Sequence, residues 1–133
     1  MKKRYIGIII FLMVMALGFI ATKILLTIFK ENLKQLALSE ISDVNLTAAE
    51  DGIYIGSYLV SPISAEVRVT INNHTIVDIE LLNHDNVQGQ GAEIIPKNVI
   101  GAQSLKIDSV SGATYSSKVI LKAIQNAILQ AGG

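Results

Sequence analysis

The chain has 133 residues, half of them hydrophobic, no cysteine, and 11 basic and 11 acidic side chains that cancel to a formal net charge of zero. That length has room for one small domain and an anchor, and the missing thiols exclude a lipidated cysteine, a disulfide framework, a thiolate metal site and a cysteine nucleophile. The zero charge hides an asymmetry: from Ser39 onward five basic side chains stand against ten acidic ones, a net of 5 − 10 = −5, which argues against nucleic acid as a partner.

Residues 1–30 read as a cytoplasmic N-terminus and a transmembrane anchor. Tyr5 to Thr22 contains no charge and is rich in Ile, Leu, Met, Phe and Val, long enough to span a bilayer as a helix. Lys23 interrupts the run, Ile24 to Phe29 resumes it, and a tilted helix lets the lysine snorkel to the interface. Met1-Lys2-Lys3-Arg4 precedes the span, so the positive-inside bias places the N-terminus in the cytoplasm and the folded part outside, in a single pass. A cleaved signal peptide is the alternative, opposed by a long apolar run and a poor small-residue cleavage pattern.

Residues 31–49 read as a helical stalk to about Leu38 and a polar linker beyond it. Residues 50–133 form the domain. Ile53 to Val60 and Ala65 to Ile71 have strand character and join across Ser61-Pro62; Asn72-Asn73-His74 then turns the chain into Thr75 to Leu82. A Gly-containing loop at Gln88 to Gly91 leads to a short helix near 92–102 with Pro96 in its first turn. Val119, Ile120, Ala123, Ile124, Ala127 and Ile128 mark one face of a helix from about Tyr115 to Ala131, ended by Gly132-Gly133. The fold class is α+β: a transmembrane helix, then an antiparallel sheet of at least three strands with a C-terminal helix packed on it.

Before that last helix stands Asp108-Ser109-Val110-Ser111-Gly112-Ala113-Thr114, which puts hydroxyls on a tight Gly turn at a helix N-terminus. Unpaired N–H groups and the positive end of the macrodipole stabilise an anion there. Ser111, Thr114, Ser116 and Ser117 are also capping residue types, so an ordinary Ser/Thr cap is the competing reading.

From Asp51-Gly52-Ile53-Tyr54-Ile55-Gly56 through His84, Gly89-Gln90-Gly91-Ala92-Glu93, Gln103-Ser104 and on to the motif and Tyr115-Ser116-Ser117, the chain resembles the FMN-binding domain family. In that family an Asp-x-x-Ser/Thr-Gly-Ala-Thr motif holds FMN through a phosphodiester on its last threonine, installed by a flavin transferase from FAD. The resemblance implies covalent FMN on Thr114, with Asp108, Ser111, Gly112, Ala113, Tyr115 and Ser116 around it and His84, Gly89 and Gly91 as further cofactor-binding candidates. It covers roughly residues 50–131. One departure stands out: subunits of ion-translocating respiratory complexes in this family carry a Glu-Thr-Pro-Gly-x-Gly stretch, and the run here is Asn86-Val87-Gln88-Gly89-Gln90-Gly91. The missing glutamate and proline put such a pump role in doubt and bring the chain closer to small stand-alone extracytoplasmic modules.

Each flanking candidate has a plain structural counterpart. His84 is either a partner of the isoalloxazine edge or an exposed loop histidine; Gly89 and Gly91 either admit the cofactor or only serve the turn; Tyr115 either packs on the flavin or belongs to the core. Asp108 is expected to serve recognition by the transferase. No Ser/His/Asp order, carboxylate pair or His cluster supports a hydrolase or metalloenzyme. The expected function is therefore an electron carrier in the cell membrane, with a membrane electron donor, an extracytoplasmic redox acceptor and the lipid bilayer as partners. The alternatives are a subunit of a larger respiratory complex and a non-redox surface binding module.

Overall fold

The computed structural model describes residues 2–133; Met1, part of the basic N-terminal run, lies outside the described residues. The chain divides into two compact units, one ending at Lys34 and the other Gln35–Gly133. The first is dominated by helix α1 (Lys2–Leu38), which has a mean hydropathy of 2.6 over its most apolar window and no protein burying that window. By length and composition it can cross a membrane. The hydroxyls of Thr22 and Thr27 donate to the carbonyls of Gly18 and Lys23 at 2.8 and 2.9 Å, so neither is left bare on an apolar helix. Lys23 Nζ sits 5.3 Å from the centre of the Phe19 ring, a cation–π geometry that softens the one charge within the run.

The second unit is a three-stranded antiparallel sheet in the order β1-β2-β3 (Gly52–Val60, Ile63–Asn72, Thr75–Asp85). It is followed by a 3₁₀ turn (Gln90–Ile94), helix α2 (Ile95–Ala102) and helix α3 (Thr114–Gln130). Period-two alternation puts Ile63, Ala65, Val67, Val69 and Ile71 of β2 on one buried face, against Ile120, Ile124, Ala127 and Ile128 of α3. Each buried Val or Ile among them contributes about 1.5–3 kcal/mol. Gly56 lets the helix approach: a Cβ there would lie 2.1 Å from Ala123 O and 2.5 Å from Ala127 N.

The hairpins sit where turn residues predict them. Asn73 and His74 both have positive φ, 52° and 57°, the pattern of a type I′ two-residue turn. The Ser61-Pro62 peptide in the other hairpin is cis. Pro96 falls within the first two positions of α2, as expected of a residue that lacks an N–H.

The free edges of the sheet are closed by side chains. Asn126 and Gln130 of α3 donate to Ser57 O and Ile55 O on β1 at 2.9 and 2.7 Å. On β3, the Gln103 side chain accepts from Ile76 N–H and donates to Ile76 O, both at 2.8 Å, standing in for a strand partner.

Residues 35–49 are packed rather than slack. Leu36 and Ala49 are buried. Lys118 Nζ donates to Ala37 O and Ser39 O at 2.6 Å, Lys122 Nζ to Glu40 O at 3.3 Å and Gln125 Nε2 to Ser42 O at 2.9 Å. Side chains spaced one turn apart on α3 thus hold this strap by its carbonyls. Asp43 fastens its far end, accepting from Leu105 N–H at 3.0 Å and Ser104 Oγ at 2.7 Å.

Candidate functional site

The motif Asp108 to Thr114 forms a tight turn whose shape the backbone dictates. Ala113 N–H donates to Val110 O at 2.9 Å, and Gly112 has φ +77°, the value a type II turn requires at its third residue. A Cβ at Gly112 would meet nothing within 4 Å, so this glycine is needed for its conformation and not for space. Ser117, fully buried, accepts from Val110 N–H at 3.0 Å and ties the start of the turn to the first turn of α3.

The ordinary cap reading fails here. The N-cap of α3 is Ala113 and no side chain caps the helix; the first intrahelical bond is Ser117 N–H to Ala113 O at 2.9 Å. The N–H groups of Thr114, Tyr115 and Ser116 precede that bond and are available to an anion. The serines that look like caps have other tasks: Ser117 pins the turn, and Ser116, also buried, lies under the preceding loop. Ser111, Gly112, Thr114 and Asp108 are exposed, and Tyr115 is 39% exposed, so it is not a core aromatic.

That loop is brought against the motif by its glycines. Gly89 is buried, and a Cβ on it would lie 1.9 Å from Ser116 Oγ; any side chain would push the loop off the helix. A Cβ on Gly91 would be 3.5 Å from Val110 Cγ1 and 3.9 Å from Ala113 Cβ. Asn86 Oδ1 accepts from Gly89 N–H at 3.0 Å and shapes the loop from within. Gly89, Gly91, Val110, Ala113 and Ser116, far apart in sequence, thus form one floor beside the exposed Thr114.

His84 enters this neighbourhood through irregular strand pairing. Between Leu81↔Val67 and Asn83↔Glu66 the β2–β3 register slips by one, leaving Leu82 as the extra residue. A bulge of this kind exchanges the two faces of the strand beyond it. Downstream of it His84 lies opposite Ala65, a residue of the buried face, whereas unbroken alternation from Ile79 and Leu81 would turn it outward. The histidine is therefore not in an exposed loop: it belongs to β3, and its side chain is 2% exposed. Nδ1 lies 3.2 Å from Glu93 Oε1 and 3.5 Å from Asn86 Nδ2, while Nε2 is buried with no hydrogen-bond partner among the described residues.

His84, Asn86 and Gly91 line an open hollow of about 590 Å³, together with Pro62, Val87 and Gln88. A smaller hollow of about 330 Å³ lies at Thr114 itself, walled by Ala37, Gly112 and Tyr115. An anion-ready helix end carrying an exposed hydroxyl, a glycine floor and an orphaned buried nitrogen are groups that fit a phosphate-bearing cofactor with a polar ring system. The residues that sequence reading missed are Glu93, Asn86 and Ser117. Glu93 stands nine positions from its histidine with no local pattern linking the two, and Ser117 resembled a cap.

Comparison with known proteins agrees with this chemistry. A family model described as FMN-binding domain matches residues 61–129. Among curated proteins, the NADH:acrylate oxidoreductase of Vibrio harveyi is 37% identical over 70 residues, which are 50% of this chain and 7% of that protein. The chain therefore corresponds to a small part of that relative's length.

Proposed function

The chain belongs to the FMN-binding domain family, and from that premise we propose that it is a membrane-anchored, extracytoplasmic electron carrier holding FMN through a phosphodiester on Thr114. The observation that carries this reading is the exposed hydroxyl of Thr114 at the first position of a 17-residue helix with no side-chain cap. A flavin transferase can reach that hydroxyl, and the phosphate left behind faces free N–H groups at the positive end of the helix, worth about 0.3–1 kcal/mol or more. When bound, FMN supplies the electron chemistry.

The protein's own residues position the group. Gly112 and Ser117 fix the turn that presents Thr114, Gly89 and Gly91 keep the neighbouring loop close enough for backbone contact, and Asp108, exposed before the turn, serves recognition during attachment. Both hollows are open and shallow, so affinity alone would hold the cofactor weakly; a tether makes rebinding intramolecular at an effective concentration of order mM. The anchor helix keeps the carrier near a membrane electron donor, and the acidic domain meets an extracytoplasmic acceptor.

A second reading has one observation in its favour. In the Vibrio harveyi relative the matching stretch is part of a much longer oxidoreductase, which suggests that this chain works as the flavin module of a larger electron-transfer assembly. Exchange of residues 1–30 for an unrelated anchor separates the two, because a diffusing carrier tolerates it and an assembled subunit does not. The test of the main reading is the absorbance of the exported protein, made with an active flavin transferase, after denaturation. A flavin spectrum that stays with the wild-type polypeptide and is lost in Thr114→Ala supports it; a colourless denatured wild type refutes it.

A further inference from the structure

His84 is the one side chain whose buried nitrogen the domain leaves without a partner among the described residues. Leaving a buried polar atom unmade costs about 1–3 kcal/mol, so a group that completes its bonding is expected nearby. The bulge at Leu82 turns this side chain inward, beside the loop whose Gly91 packs on Val110 and Ala113 of the motif. On the other side of the ring, the Glu93 carboxylate can only accept. We assign the hydrogen to Nδ1 from the shorter contact, 3.2 Å to Glu93 Oε1; the Asn86 amide, at 3.5 Å, is at the limit of bonding. Nε2 is then a bare acceptor in the neutral ring and a donor in the protonated ring.

We propose that His84, oriented by Glu93, makes a proton-linked contact with the FMN tethered on Thr114 and sets its reduction potential. This rests on the flavin reading above. A flavin offers donors at N3–H and the ribityl hydroxyls and acceptors along its N1–C2 and C4–N5 edges, so Nε2 finds a partner in either protonation state. An imidazolium beside the ring stabilises the negative charge gained on reduction, which raises the potential; the neutral ring does not. By linkage, reduction in turn strengthens proton binding at the imidazole. Glu93 comes from the 3₁₀ turn, and Asp85, next in β3, is occupied by Ser64 Oγ at 2.9 Å and Asn83 Nδ2 at 3.3 Å; the residue opposite on β2 is Ala65.

The experiment is a spectroelectrochemical titration of full-length, flavinylated protein in detergent between about pH 5 and 8, the range in which imidazoles change charge. Wild type is compared with His84→Gln, His84→Asn and Glu93→Gln, and each is first checked by intact mass for attached flavin. The expected result is a change of slope in the wild-type plot of potential against pH that is absent from both His84 variants and displaced in Glu93→Gln, with flavin attached in all four. Glu93 is half exposed, so its variant retains the fold if an His84 variant does not. Wild-type slopes in both His84 variants, or an undisplaced break in Glu93→Gln, overturn the proposal while leaving the tether intact. An unflavinylated wild type overturns the flavin reading itself, and this inference with it.

Discussion

Thr114 and the glycines near it have separable tasks, and substitutions divide them. Gly112 holds a positive φ that a side chain would strain, so Gly112→Ala is expected to cost about 1–2 kcal/mol. Gly89→Ala must displace the loop from Ser116, a collision at 1.9 Å with a short and buried side chain, and about 2–3 kcal/mol is expected from overpacking of this kind. Thermal unfolding of the two variants checks the order, and equal losses would show that the Gly89 contact is easily relieved. Thr114→Ser keeps the hydroxyl and is expected to retain covalent flavin, while Thr114→Ala loses it without loss of stability, since the side chain is exposed and caps nothing. The tight turn before the last helix was legible in the sequence because a Gly among Ser residues just ahead of an apolar 3.6-residue repeat marks a turn into a helix; the acceptor role of Thr114 was implied only by the family resemblance. The roles of Ser116 and Ser117 were not legible, because cap and tether use the same hydroxyl and differ only in which N–H lies nearby. His84 was hidden for a different reason: a one-residue bulge decides which face it takes, and strand alternation carries no sign of it.

At the scale of elements, the three strands and the last helix follow from period two and period 3.6 in their apolar residues, and the structure extends the predicted strands by one to three residues. Gly56→Ala tests the close approach of α3 to β1. Its Cβ would meet backbone atoms of Ala123 and Ala127, which cannot rotate away, so about 3 kcal/mol or more of destabilisation is expected, read as a fall in denaturant midpoint. Composition marks the segment beyond Leu38 as a polar linker; what holds it to α3 are its own backbone carbonyls, which composition does not report. Its bond to Leu105 and Ser104 also has a sign in pH. Burial alone would raise the Asp43 carboxyl, but the hydrogen bonds from Leu105 N–H, Ser104 Oγ and Val44 N–H, helped by the charge of Lys106, outweigh it and hold the pKa below the ordinary value. A carboxyl depressed in the folded state contributes stability above its unfolded pKa, near 4, and loses it as pH falls through the folded pKa. The gap in unfolding free energy between wild type and Asp43→Asn is therefore expected to shrink as pH is lowered from 7 toward 3; a constant gap would show that the bonds act without the charge.

For the molecule as a whole, the compact unit begins at Gln35, so a chain starting there is expected to be more stable than one starting at Glu50, which lacks Leu36, Ala49 and the carbonyls held by Lys118, Lys122 and Gln125. Equal melting temperatures for the two would make the strap energetically idle. In the proposed function, strap, sheet and motif helix present the exposed Thr114 so that a cofactor can be fixed to it, while helix α1 supplies a segment long and apolar enough to cross a membrane. The measurement that tests this most directly is the intact mass of the protein exported in the presence of an active flavin transferase, followed by mapping of the tryptic peptide Ile107–Lys118. The account predicts an added FMN less one water, located on Thr114 and absent from Thr114→Ala. An unmodified peptide, with the transferase shown to be active on another substrate, would contradict it.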